Sequence, residues 1–156
     1  LERRLGELGI AFARAKVGDR YVLELLHERG WECGGENSGH ILALDCHSTG
    51  DAIISALQVL EAVVAAGQTL AEFTRDLVLL PQVLVNVKLA ERRDVVGLPA
   101  VKQAVAAAEA ALAGRGRVLL RPSGTEPVIR VMVEGEDPAG VKSLADSIAE
   151  AVRKAA

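Results

Sequence analysis

The chain has 156 residues, half of them apolar and only 3% aromatic, so its length suits one ordinary domain or two small ones with an aliphatic core. That apolar content excludes a disordered chain, and a net charge of −3 without any run of Lys and Arg argues against a nucleic-acid partner. No membrane span is expected either, and no membrane partner: Ser55, Gln58 and Glu61 interrupt the longest apolar candidate, well short of the about 18 apolar residues a span needs.

The chain opens Leu1-Glu2-Arg3-Arg4-Leu5, with no initiator Met and no signal-peptide pattern. That texture belongs to the interior of a helix, and the expectation is a fragment of a longer protein. Residues 10–16 alternate weakly and read as a strand. Asp19 is placed to cap a helix to about Glu28, closed by Gly30. Residues 31–45 read as strand, glycine-rich loop, strand. Cys33 and Cys46 fall in or beside this segment. Neither belongs to a CxxC pair, and the reading is two reduced, buried thiols in a cytoplasmic protein.

Residues 51–66 form the next predicted helix, with Ile53, Leu57, Leu60 and Val64 at helical spacing. Ile54, Val59 and Val63 widen the apolar surface, which predicts a helix covered on more than one side. Gly67 suits its C′ position. Thr69 and Glu72 match a capping box for a short helix ending near Leu77. The texture then changes. Val83, Val85, Val87 and Leu89 share one face of a half-buried strand, with Asn86 and Lys88 on the other. The domain boundary is therefore placed at 79/80, giving domains 1–79 and 80–156.

Beyond it, residues 99–113 are helical, with Val101, Ala104, Val105, Ala108 and Leu112 on one stripe. Strands follow at 117–120 and 128–134, and Asp137 with Pro138 starts a last helix whose stripe is Val141, Leu144, Ala145, Ile148 and Val152. The fold class expected is an α/β partial domain, a mixed sheet with helices. After it comes a small α+β domain, β-α-β-β-α, an antiparallel sheet with helices on one face.

Two loops can carry chemistry. In Arg121-Pro122-Ser123-Gly124-Thr125-Glu126-Pro127, the prolines stiffen both ends and Gly124 lets a ligand approach the backbone. Ser123 and Thr125 bring hydroxyls, neighbouring amides can form an anion-binding concavity, and Arg121 brings a charged fork suited to phosphate. Arg130 alternates out of the Ile129, Val131, Val133 face. An ordinary hairpin turn with surface arginines has the same pattern. In Gly35-Glu36-Asn37-Ser38-Gly39-His40, Glu36 can accept from two sugar hydroxyls, Ser38 can donate or accept, and His40 can move a proton near neutral pH. A polar turn between strands is the competing reading. Lys16, in Lys16-Val17-Gly18-Asp19-Arg20, either reaches a phosphate or is solvated. No Walker A, nucleophile elbow or zinc pattern is present.

At these residues the chain resembles the α-D-phosphohexomutases, nearest to the branch that interconverts glucosamine 6-phosphate and glucosamine 1-phosphate. Residues 35–40 look like the family's sugar-binding loop, G-E-x-S-G-H, and residues 121–127 with Arg130 look like its phosphate-binding loop. The resemblance covers essentially the whole chain and implies the later part of the third of four domains and all of the fourth. It departs from the family at Asn37, where Gln is common, and at Ala52, where Gly is usual.

The resemblance implies a phosphoserine enzyme that works through a bisphosphate intermediate. Glu36 and Ser38 would bind the sugar, and Arg121, Ser123, Gly124, Thr125 and Arg130 the phosphate that is not transferred. His40 and Lys16 would be catalytic candidates. Mg²⁺ would serve the full-length enzyme with no ligands from this chain, since neither the phosphoserine loop nor the D-x-D-x-D metal loop has a match here. The partners implied are a small phosphosugar and the N-terminal domains of the same enzyme. An incomplete third domain would expose an apolar edge, which makes a homodimer a further expectation. A mutase for a different hexose phosphate, or a non-catalytic phosphosugar-binding module in the isolated chain, are the rival readings.

Overall fold

The computed structural model describes residues 1–156, which divide into two compact units, 1–78 and 79–156. The first unit contains helices α1 (Glu2–Glu7) and α2 (Asp19–Arg29), strands β1 (Cys33–Gly35) and β2 (Ile41–Ala43), and helices α3 (Ala52–Ala65) and α4 (Leu70–Phe73). β1 and β2 pair antiparallel, with Cys33 opposite Ala43 and Gly35 opposite Ile41. Leu26 of α2 and Leu42 of β2 are its buried apolar residues.

Several expectations are corrected in this unit. Residues 10–16 form no strand. A strand is defined by a hydrogen-bonded neighbour, and the only ladder in the unit is taken by β1 and β2. Asp19 is the first helical residue of α2, not its cap; Gly18 occupies the N-cap position at φ 128°, ψ 130°, a conformation that side chains rarely adopt. The stripe of α3 expected in the core is exposed, at 73% for Ile53, 61% for Leu57 and 77% for Val64. The inward residue is instead Ser55, whose hydroxyl donates to the carbonyls of Ile41 and Asp51, so a polar group docks α3 on β2. Finally, Cys33 and Cys46 are free but exposed. Alternation on a two-stranded ladder puts Cys33 on the outer side, and Cys46 lies in the turn after β2.

The helix boundaries follow from local chemistry. The Asp51 carboxylate accepts the amides of Ile53 and Ile54 and starts α3. Those two bonds, Ile54 first, hold its carboxyl below the usual carboxylate range. Thr69 and Glu72 form the expected capping box, but α4 stops at Phe73, short of Leu77.

The second unit contains β3 (Gln82–Lys88), α5 (Pro99–Leu112), β4 (Gly116–Pro122), β5 (Val128–Gly135) and α6 (Pro138–Ala155). The sheet order is β3-β5-β4, and both pairings are antiparallel. β5 is the centre, which explains why six of its eight residues are buried. Ile129, Val131 and Val133 face a core shared with Val87 of β3, Val101, Ala108 and Leu112 of α5, and Val141, Ala145, Ile148 and Val152 of α6. Both helices therefore cover one face of the sheet, as the apolar stripes require. The other face carries the alternate residues of each strand, in three cross-strand rows: Arg121-Arg130-Asn86, Leu119-Met132-Leu84 and Arg117-Glu134-Gln82.

The Asp137 carboxylate accepts the amides of Ala139 and Gly140 at the start of α6. An Asp137→Ala exchange is expected to destabilise this unit by about 1 kcal/mol. The exchange rates of the Ala145 and Ile148 amides in α6 check this, and unchanged rates would count against it.

Candidate functional site

The open face of the second sheet places two arginines side by side. Arg121 on β4 lies directly opposite Arg130 on β5. Directly opposed residues hold their Cβ atoms about 5 Å apart, and like charges there repel. Asn86 of β3, a neutral group, completes the row. No carboxylate pairs with either arginine. Arg117, two rows along the same face and four residues before Arg121 on β4, is paired, with Nε at 2.6 Å from Glu134 Oε1. The sheet thus neutralises one arginine and leaves two uncompensated charges together, half-buried, beside the turn between β4 and β5.

That turn is the loop 123–127. It is closed internally: Ser123 N donates to the Val128 carbonyl and Val128 N to the Glu126 carbonyl, each at 2.8 Å. Ser123 is 8% exposed, and its Oγ accepts the Glu126 amide at 3.4 Å. Leu89 N, just beyond β3, donates to the Pro127 carbonyl at 2.8 Å. The amides of Gly124 and Thr125 make no hydrogen bond within the chain. The loop tip therefore carries two open N–H donors, exposed and adjacent to two unpaired guanidinium groups. A phosphate monoester needs this combination, several donors and positive charge around one dianion.

In the first unit, a different cluster forms on the loop between β1 and β2. The loop is closed by Glu36 N donating to the His40 carbonyl at 2.9 Å and Gly39 N to the Glu36 carbonyl at 3.0 Å. The Glu36 side chain is largely buried, 17% exposed. Its Oε1 accepts the Gly18 amide at 2.7 Å, so the segment before α2 fixes the carboxylate. Its Oε2 lies 3.3 Å from Ser38 Oγ, which in turn is 2.9 Å from His40 Nδ1. A serine hydroxyl has one proton. If it donates to Glu36, it accepts from Nδ1–H of His40, leaving Nε2 as the open ring nitrogen. Glu36, Ser38 and His40 are thus one connected polar group. Lys16 is not part of it; its ammonium sits over the Tyr21 ring at 5.7 Å from the centroid. Elsewhere, His47 Nδ1 accepts the Thr49 amide at 3.1 Å, a local turn contact.

Family models match both units. Residues 1–79 match the phosphoglucomutase/phosphomannomutase α/β/α domain III, and residues 84–151 match the phosphoglucomutase/phosphomannomutase C-terminal domain. The chain belongs to the phosphoglucomutase/phosphomannomutase family.

Within the family, a phosphoglucosamine mutase from Methylobacillus flagellatus is 60% identical over the whole chain. The chain spans about a third of that relative's length, 34%. An N-acetylphosphoglucosamine mutase structure from Aspergillus fumigatus superposes with a TM-score of 0.81 over 99% of this chain and 36% of its own, at 22% identity, and shares the fold. Another structure of an Aspergillus fumigatus N-acetylphosphoglucosamine mutase, in complex with GlcNAc-6P and magnesium, is 29% identical over 69% of this chain and 22% of its own, with a TM-score of 0.59.

No group of three or more His, Cys, Asp or Glu side chains converges here to hold an ion. Sequence reasoning missed two contributors. Gly18 supplies the amide that holds Glu36, and Arg92 donates to the Gly124 carbonyl. The first had a signal in the Lys16-Val17-Gly18-Asp19 segment. The second had none, because Arg92 sits 32 residues from its acceptor in an irregular connection.

Proposed function

We propose that this chain is the sugar- and phosphate-holding portion of a phosphoglucosamine mutase, which interconverts glucosamine 6-phosphate and glucosamine 1-phosphate. The observation that carries the reading is the cross-strand pair Arg121 and Arg130, uncompensated beside two free amides. The 60% identity to a phosphoglucosamine mutase along the whole chain supports glucosamine over other hexoses.

In this proposal a phosphoserine outside the chain donates its phosphoryl group to the sugar phosphate, giving a bisphosphate. The other phosphate then returns to the serine. Throughout, one phosphate of the sugar must be held while the other reacts. Arg121 and Arg130 supply the charge, and the Gly124 and Thr125 amides with the Ser123 and Thr125 hydroxyls supply direction. Glu36, fixed by Gly18, and Ser38 accept and donate to ring hydroxyls. Within its own unit each set is held in place, Glu36 and Ser38 on the β1–β2 loop, and Arg121 and Arg130 on β4 and β5 with Ser123, Gly124 and Thr125 on the loop between them, and such fixed positioning is most of what phosphoryl transfer needs from a protein. His40 is the proton-handling candidate, through the ring nitrogen that Ser38 leaves open. Lys16 would contribute charge only after leaving Tyr21. Magnesium, when bound by the whole enzyme, stabilises charge on the transferring group. The free thiols Cys33 and Cys46 suit a reducing compartment, and the proposal places the enzyme in the cytoplasm.

The test is turnover by the full-length enzyme containing this chain. With glucosamine, glucose and mannose 6-phosphates compared at equal concentration, kcat/KM is expected to be highest for glucosamine 6-phosphate. A preference for either neutral hexose would refute the glucosamine assignment and leave the phosphate reading standing.

A further inference from the structure

The Gly124 carbonyl oxygen accepts a hydrogen bond from Arg92 Nη2 at 2.9 Å. Arg92 belongs to the connection between β3 and α5, the same connection whose first residue, Leu89, holds the Pro127 carbonyl. The β4–β5 loop is therefore braced from one neighbouring segment at its base and at its tip. Arg92 makes no ion pair that would draw it elsewhere. The adjacent Arg93 donates to the Ala155 carbonyl at the end of α6, which anchors the connection on its other side.

The consequence follows from peptide geometry. The chain has no cis peptide bond, so the Gly124 carbonyl and the Thr125 N–H sit on opposite edges of one planar trans unit. A donor that fixes the carbonyl on one side fixes the N–H on the other. The Thr125 N–H is one of the two amides without a partner in the chain. A glycine at 124 has the widest range of backbone conformations, so without a brace this peptide can flip and turn its carbonyl oxygen toward an anion. A charged donor on the carbonyl also polarises the peptide and makes its N–H a stronger donor.

We propose that Arg92 is a positioning residue that holds the 124–125 peptide with its N–H toward the bound phosphate. Arg92 acts through Gly124 and does not touch the ligand. The proposal rests on residues 121–130 being a phosphate site, and the experiment separates the two.

The isotope-labelled chain is compared as wild type, Arg92→Gln and Arg92→Lys, first without ligand and then titrated with inorganic phosphate. Without ligand, the Gly124 carbonyl carbon is expected to shift in Arg92→Gln and to stay near its wild-type position in Arg92→Lys, which keeps a charged donor. On titration, Arg92→Gln should bind phosphate about tenfold more weakly, the effect expected from losing a well-aligned donor. The Thr125 amide response should shrink while the Arg121 and Arg130 side-chain N–H signals still respond. An unchanged Gly124 carbonyl and a wild-type Thr125 response in Arg92→Gln would overturn the positioning role and leave the phosphate site intact. Weaker binding with an unmoved Gly124 carbonyl would also overturn it, since Arg92 would then act only as a charge. No response of Thr125, Arg121 or Arg130 in the wild type would remove the phosphate site and this inference together.

Discussion

An Arg121→Gln exchange is expected to weaken binding of a phosphate monoester by about a hundredfold while leaving the unliganded fold as stable or slightly more so. The two effects have one origin. Arg121 and Arg130 face each other across β4 and β5 without an acidic partner. A like-charged pair in that register is unfavourable by roughly 0.2–1 kcal/mol. Removing one charge relieves that repulsion. The same exchange takes away a guanidinium that can make two charge-assisted hydrogen bonds to the ligand, each worth about 1.5–3 kcal/mol. A loss of about 3 kcal/mol corresponds to about a hundredfold in Kd. The sheet thus stores a small repulsion that only an anion relieves. Arg117 is the internal control, because Glu134 already compensates it at 2.6 Å. An Arg117→Gln exchange should leave phosphate binding within about twofold, since that arginine already has its counter-charge. Calorimetric titration, and hydrogen exchange of the Val131 and Val133 amides as the stability readout for this unit, in both variants at low and high salt, check the prediction. Screening by salt should erase the stability gain of Arg121→Gln. A clear loss of unliganded stability with unchanged binding would mean that Arg121 is only a packing element.

The second unit was almost wholly legible in the sequence, and the first was not, for a physical reason. In residues 79–156 each element buries its own apolar stripe inside the unit. Val83, Val85 and Val87 meet Ile129, Val131 and Val133 under the stripes of α5 and α6. Periodicity then reports burial directly. In α3 the stripe Ile53, Leu57, Leu60 and Val64 has no cover within the unit, and the inward contact is made by Ser55, a residue that no hydrophobic pattern selects. Residues 10–16 alternate without a ladder to join. Short-range proximity within the motifs was legible too. Glu36, Ser38 and His40 fall into one hydrogen-bonded group because they share a five-residue loop. Arg121 and Arg130 are brought together by antiparallel register. What stayed hidden was long-range: Gly18 on Glu36 and Arg92 on Gly124 join segments whose proximity only the fold decides.

The largest stability effect is expected at the far end of the β4–β5 ladder, where Gly116 faces Gly135. Gly116 has no unusual backbone angle, so the demand there is space. A Cβ at residue 116 would run into the Glu134 carbonyl oxygen and stand 2.9 Å from the Gly135 Cα and from Leu112 Cδ2. Two of those three atoms are backbone of the central strand and cannot turn aside. A Cβ at residue 135 would meet Leu112 Cδ2 at 2.9 Å and Val141 Cγ2 at 3.1 Å, both on side chains that can shift by a few tenths of an ångström. Gly116→Ala is therefore expected to cost about 3 kcal/mol, and Gly135→Ala about 1 kcal/mol, within the range of overpacked cores. Because the chain has two units, a whole-chain melt would blend them; hydrogen exchange of the Val131 and Val133 amides reads the second unit alone. Arg121 lies five residues along the same strand, so Gly116→Ala should also lower phosphate affinity by loosening the Arg121–Arg130 register. Gly135→Ala should leave that affinity close to wild type. Equal costs for the two exchanges would show that the strands separate freely at this end, and the rigid ladder beneath the phosphate loop would have to be abandoned.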